Sequence, residues 1–138
     1  MSVEGNVFLF SVDLEDVRDF IPNGNQYKDG VQRNTLRYLD WLDKVNAKCT
    51  FFIVGKTARK YPDLIQEIVR RGHEAACHTD THLHLTKHSL DSFRADCDSF
   101  LNTMHRLGAN SIKGFRAPTF SLVEQSKWAY KVLKEYGF

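Results

Sequence analysis

The sequence predicts an α/β fold built on a parallel sheet, and three observations carry that expectation. Short β-rich apolar runs alternate four times with stripes of apolar residues at helical spacing. The apolar runs stop abruptly at acidic, glycine or histidine-rich sequence, as strands buried in a parallel sheet do. The 138 residues are 42% hydrophobic and include ten Phe, five Tyr and two Trp, enough to furnish the core of one domain.

In chain order, Val7–Val12 is an apolar run ending in Asp13-Leu14-Glu15-Asp16 and reads as a first strand entering an acidic loop. A polar stretch with Pro22, Gly24 and Gly30 reads as loop. Val31, Thr35, Tyr38, Leu39, Leu42 and Val45 form a helical stripe, and Cys49–Val54 is a second strand closed by Gly55. Tyr61, Leu64, Ile65, Ile68 and Val69 give the second helix, which Gly72 should stop. His73–Cys77 is the third strand, weaker because alanine is a poor strand former. It opens into the histidine-rich segment His78–His88. Leu90, Phe93, Cys97, Phe100, Leu101 and Met104 make the third helix, ended near Gly108. Ile112–Phe115 is the fourth strand, followed by the turn Ala117-Pro118. Ser121-Leu-Val-Glu124 reads as a capping box before the stripe Trp128, Val132, Leu133, Tyr136.

Four strand–helix alternations imply right-handed crossovers in either a barrel or an open doubly wound sheet. An eight-fold barrel takes about 250 residues, so the expectation is an incomplete (β/α) barrel of about four units, in one domain spanning 1–138. Both architectures bind ligands at the carboxyl ends of their strands. The acidic group after strand one, the histidines after strand three and Arg116 after strand four should therefore meet on one rim.

Composition narrows the function. The 19 basic and 17 acidic residues are interspersed with a net charge of +2, which argues against a nucleic-acid partner. No apolar run approaches the ~20 residues of a membrane span, and the start MSVEGNVFLF lacks the basic region and cleavage site of a signal peptide. The three cysteines form no Cys-x-x-Cys pair, so a reducing, cytoplasmic location is expected.

His78-Thr-Asp-Thr-His82 sets two imidazoles four residues apart, a spacing that on a helical turn brings both to one cation. His84 and His88 repeat the spacing but lie further from the strand end, and read as ordinary loop histidines. Asp13, Glu15 and Asp16 read in isolation as a solvated turn or a helix cap. On the same rim as two imidazoles, one of them completes an open site of the catalytic type, and another can accept a proton from water. Arg116, otherwise a surface arginine, is then available to orient that base.

Together, Phe10-Ser-Val-Asp-Leu-Glu-Asp16, His78-Thr-Asp-Thr-His82 and Phe115-Arg-Ala-Pro-Thr-Phe-Ser121 resemble the polysaccharide deacetylases with a NodB-homology domain, carbohydrate esterase family 4. Thr50-Phe-Phe-Ile-Val-Gly55 and Arg70-Arg-Gly-His-Glu74 are similar to that family's second strand and the approach to its third. The acidic Asp-x-Glu-Asp loop resembles the branch associated with exopolysaccharide synthesis. The resemblance implies a barrel of the deacetylase type, and metal-dependent hydrolysis of N-acetyl or O-acetyl groups on a polysaccharide or amino sugar. It implies Asp13 as catalytic base, Arg116 as its partner, His78 and His82 as metal ligands, and Pro118 in the groove-lining motif. The acidic ligand is Asp16 or Glu15, with Asp16 slightly favoured. Zinc is the expected cation, and cobalt, nickel or iron fit the same donors.

The family's aromatic-acidic groove motif and its Leu-x-His general acid have no counterpart in these residues, so the chain resembles the N-terminal half of a deacetylase. Weak activity is expected of it. The alternatives are a non-catalytic metal- or carbohydrate-binding domain, or an interaction fragment whose open sheet edges are covered in a homodimer.

Overall fold

The computed structural model describes residues 8–138, so the Val7 start of the predicted first strand lies outside the described residues. Strands β1 (Phe10–Leu14), β2 (Cys49–Ile53) and β3 (Glu74–Cys77) form a parallel sheet in the order β1-β2-β3. Phe10 pairs with Cys49 and Leu14 with Ile53, while Thr50 pairs with Glu74 and Ile53 with Cys77. The predicted fourth strand is reduced to a single parallel bridge, Cys77 to Phe115. Cys77 N–H donates to Gly114 O at 2.8 Å and Arg116 N–H to Cys77 O at 2.9 Å, which is enough to set Arg116 at the rim.

Helix α1 (Val31–Lys44) follows the first strand, and α2 (Gly55–Lys60) and α3 (Pro62–Arg70) follow the second. The third strand leads to α4 (Leu90–Arg106), and α5 (Ala129–Glu135) closes the described chain. Pro62 opens α3 at a position where its missing N–H costs nothing. Gly72, with φ of +75°, ends that helix as predicted, its left-handed backbone letting His73 N–H reach Ile68 O.

Side chains of β2 alternate: Cys49, Phe51 and Ile53 are buried, whereas Thr50 and Phe52 are half-exposed. The buried face packs on Leu39 and Leu42 of α1, Leu64, Ile65 and Ile68 of α3, and Phe100 and Met104 of α4. The other face carries Ser11, Asp13, Thr50, Phe52, Glu74 and Ala76, of which only Ala76 is buried. A doubly wound sheet would be covered on both faces; here one face is largely uncovered, and the described residues form no closed barrel. A second cluster joins Phe93 and Cys97 of α4 to Ala129, Val132 and Leu133 of α5, with Leu85 and Ala117 between them.

The predicted capping box at Ser121 does not form. Ser121 Oγ accepts Leu85 N–H at 3.0 Å and donates to Pro118 O at 2.6 Å, tying two loops together instead. Ser89 and Ser92 make a reciprocal cap at the start of α4. Among the described residues no helix is long and apolar enough to cross a membrane.

Candidate metal centre

His78 leaves β3 directly, 2% exposed, and its Nδ1 lies 2.7 Å from Arg116 O. A carbonyl only accepts, so Nδ1 carries the hydrogen and Nε2 presents a lone pair to the rim. Burial pushes the His78 pKa below its ordinary value, keeping the ring neutral and able to ligate. The His82 ring stands 5.0 Å from it, centroid to centroid. Glu15 Oε2 approaches His82 Nε2 to 2.5 Å, and the imidazole beside it holds the Glu15 carboxyl below its usual range.

One ligand atom each from Glu15, His78 and His82 lies within 4.8 Å of the other two. Glu15 Oε2 is buried, and its close neighbour is the His82 ring nitrogen. A buried carboxylate oxygen converging with two imidazoles is a donor set that suits a divalent cation. Two nitrogens and one oxygen match an open, catalytic type of site with room for further ligands.

The histidine spacing works differently from the helical turn that the sequence suggested. Residues 78–82 are loop, and Thr79 (φ +66°) and His82 (φ +59°) both adopt left-handed backbone. For non-glycine residues this costs on the order of 1–3 kcal/mol each, so the surroundings must enforce it. His82 N–H donates to Thr79 Oγ1 at 3.0 Å within the loop. Outside it, the loop carbonyls of Thr79 and Asp80 accept the first N–H groups of α2, from Gly55 and Lys56. The Phe20 ring packs 4.4 Å from that of His82 on the outer side.

Asp13, on β1, reaches the same rim. Its Oδ2 lies 3.7 Å from His78 Nε2, and Arg116 Nη1 donates to its Oδ1 at 2.6 Å. Arg116 Nη2 also donates to Ser11 Oγ, and the guanidinium lies 4.0 Å over the Phe52 ring. Three separate contacts thus fix one side chain, and through it the carboxylate.

The polysaccharide deacetylase family profile matches residues 26–138. The chain belongs to the polysaccharide deacetylase family. It is 34% identical over 96 residues to a peptidoglycan-N-acetylglucosamine deacetylase of Bacillus cereus, covering 69% of this chain and 35% of that protein. It is 26% identical over 126 residues to chitin deacetylase 1 of Saccharomyces cerevisiae, covering 91% and 40% of the two chains. A crystal structure of a Mycobacterium smegmatis protein classed with the polysaccharide deacetylases superposes with a TM-score of 0.81 at 26% identity. That match covers 94% of this chain and 48% of the other. The chain therefore spans between about a third and a half of the length of these relatives.

The matched region begins after the acidic loop, so the roles of this family member's carboxylates rest on geometry. Glu15 stands with the histidines, whereas Asp16, slightly favoured from the sequence, is turned to other partners. Asp16 is 1% exposed and caps the short 3-10 turn Val17–Asp19, accepting Arg18 N–H. Its carboxylate also takes hydrogens from the Arg18 side chain, Lys60 Nζ and Tyr61 Oη. Those cations hold the Asp16 carboxyl far below the usual carboxylate range. Pro118 is buried at the start of the turn Pro118–Phe120, whose other two residues, Thr119 and Phe120, are exposed in left-handed backbone. His84 and His88 are turned to local partners, their Nδ1 atoms contacting Thr86 Oγ1 and Ser92 Oγ.

The sequence reading missed a buried polar layer beneath this candidate metal site. Asp80 is clamped by Arg59 through contacts of 2.6 and 3.0 Å and accepts Ser99 Oγ–H. Asp96 on α4 is buried against the loop backbone. The available signal was a carboxylate set among Phe93, Cys97 and Phe100 on an otherwise apolar helical face.

Proposed function

We propose that this chain carries the metal- and base-bearing part of a hydrolase that removes acetyl groups from an amino sugar or polysaccharide. N-acetyl groups are the leading substrate, and O-acetyl groups are open to the same route. The observation that supports the reading most is the meeting of the Glu15/His78/His82 donor set with the Asp13–Arg116 pair within 3.7 Å on one rim. Glu15, His78 and His82 would hold the cation, for which zinc is the leading candidate and cobalt, nickel or iron fit the same donors. A cation bound there supplies Lewis acidity and a water of lowered pKa. Asp13 accepts the proton of the attacking water, held in line by the Arg116 guanidinium. His78 keeps its Nε2 directed at the site because Arg116 O fixes its other nitrogen. The Asp-Leu-Glu-Asp loop supports assignment to the exopolysaccharide-associated branch.

Elemental analysis of the purified chain tests the ligand set. About one zinc per chain is expected in the wild type, little in Glu15→Gln, and a retained ion in Asp16→Asn, which should instead melt at lower temperature. Loss of zinc from Asp16→Asn at unchanged stability would assign the ligand to Asp16.

A second reading is a domain that binds metal and carbohydrate without turnover. It is favoured by His84 and His88, the spare histidines after β3, being engaged through Nδ1 with Thr86 and Ser92 rather than with the Glu15, His78 and His82 group. General acid catalysis contributes typically 10²–10⁴-fold, so the two readings separate in an acetate-release assay on N-acetylglucosamine oligomers. Oligomer binding without acetate would select the second.

A further inference from the structure

We propose that Asp96 is a positioning residue for the histidine loop, acting on the metal site through the backbone of Asp80 and Thr81. The inference rests on the reading of Glu15, His78 and His82 as metal ligands.

The loop from His78 to His82 belongs to neither strand nor helix, and beyond His78, whose N–H still donates to Ile53 O at 3.0 Å, its N–H groups have no ladder to join. Asp96 supplies the acceptors. Its Oδ1 takes Asp80 N–H at 2.7 Å, and its Oδ2 takes Thr81 N–H at 3.2 Å and Thr81 Oγ1–H at 2.8 Å. Residues 80 and 81 stand between the two histidines. Fixing their peptide planes constrains the left-handed turns at Thr79 and His82, which aim the two rings.

Helix stability does not explain a carboxylate at this position. Asp96 is 6% exposed, and its neighbours on the helix face are Phe93, Cys97 and Phe100, so an apolar side chain would fit with no charge to bury. Arg59, the nearby cation, donates to Asp80 and Thr103. The Asp96 carboxylate is satisfied instead by three hydrogens from two consecutive loop residues. This is how an outer layer of hydrogen bonds orients ligating side chains, and removing such a partner typically lowers metal affinity 10–100-fold.

Asp96→Asn keeps the shape but turns an amide donor toward the loop's own donors. Zinc affinity, measured against a competing chelator, should fall 10–100-fold. In the metal-free protein, hydrogen-exchange protection should drop at the Asp80 and Thr81 amides and persist in β2 and α4. Thr81→Val removes one of the three hydrogens and should weaken zinc a few-fold at an unchanged melting temperature. It decides the matter if Asp96→Asn fails to fold. Unchanged zinc affinity in the variants would overturn the proposal, as would protection lost evenly across the whole fold. A wild-type chain with no zinc affinity would remove the metal reading itself. The exchange data would then still decide whether Asp96 holds the loop.

Discussion

Arg116 touches both halves of the site with different atoms, and that division makes it the most informative single residue to change. Its guanidinium holds Asp13 and Ser11 and covers Phe52, while its carbonyl accepts the His78 Nδ1–H. Arg116→Ala deletes the first set and leaves the second, since the carbonyl belongs to the main chain. Zinc content should stay near the wild-type level while acetate release falls at least tenfold, because the base is no longer held in line. Lysine should restore little, lacking the planar fork that reaches Asp13 and Ser11 together. Equal loss of zinc and turnover would assign Arg116 to the ligand shell or the fold. The residue was legible from its place after an apolar run in Phe-Arg-Ala-Pro. The choice between Glu15 and Asp16 was not. The two are adjacent, and β1 ends at Leu14 before either, so no strand alternation fixes their directions. What turns Asp16 away is a cation pair from α2 and the next turn, Lys60 and Arg18, which local sequence does not announce.

Among the elements, strands β1 to β3 and helices α1, α3, α4 and α5 were visible as apolar runs and stripes, but α2 was not. It has six residues, begins at a glycine that reads as a strand stop, and has no side-chain cap. Its first N–H groups are satisfied by carbonyls of residues 79 and 80, and such non-local capping leaves no trace in a local pattern. The fourth strand failed for a complementary reason. Gly114 adds no side chain to the sheet, and only one bridge forms before the Pro118 turn. The contact between α2 and the histidine loop also explains Gly55. A Cβ there would meet Asp80 Oδ1 at 2.0 Å, against a carboxylate already locked by Arg59 and Ser99. Gly55→Ala should therefore destabilise the fold by about 1–3 kcal/mol and weaken zinc binding as the loop shifts. Thermal melting and zinc titration of that variant check both parts, and a wild-type melting temperature with wild-type affinity would contradict them.

For the whole molecule, the sheet, its crossovers and the common rim followed from alternation alone, whereas the polar layer that fixes the rim did not, because its partners are far apart in sequence. The same buried groups set how the fold responds to acid. His73, His78 and His88 all have their pKa values pushed down, in each case chiefly by burial. His73 has a second reason to stay neutral: its Nδ1 accepts Cys49 N–H at 3.2 Å, linking the start of β2 to the approach to β3. Lys48 and Arg71 disfavour its cation further, and Asp43 opposes them. In the unfolded chain such a ring takes up its proton near 6.5, while the folded ring resists until lower pH. Between those two values the unfolded state binds more protons, so stability falls as pH drops, and above 6.5 it is flat. Asp16 acts in a separate window. Its carboxyl is lowered by Arg18 and Lys60, so its contribution is present above the ordinary 3.8 and is lost as pH falls through the lower folded value. Melting temperature should accordingly hold steady from neutrality to about pH 8, decline through a first limb below 6.5, and decline again below about 4. His73→Asn leaves an amide oxygen to accept Cys49 N–H but cannot titrate. It should start from a lower melting temperature, show a shallower first limb because His78 and His88 still act, and keep the second limb unchanged. A first limb as steep as the wild type's would mean that His73 is not a source of the acid sensitivity.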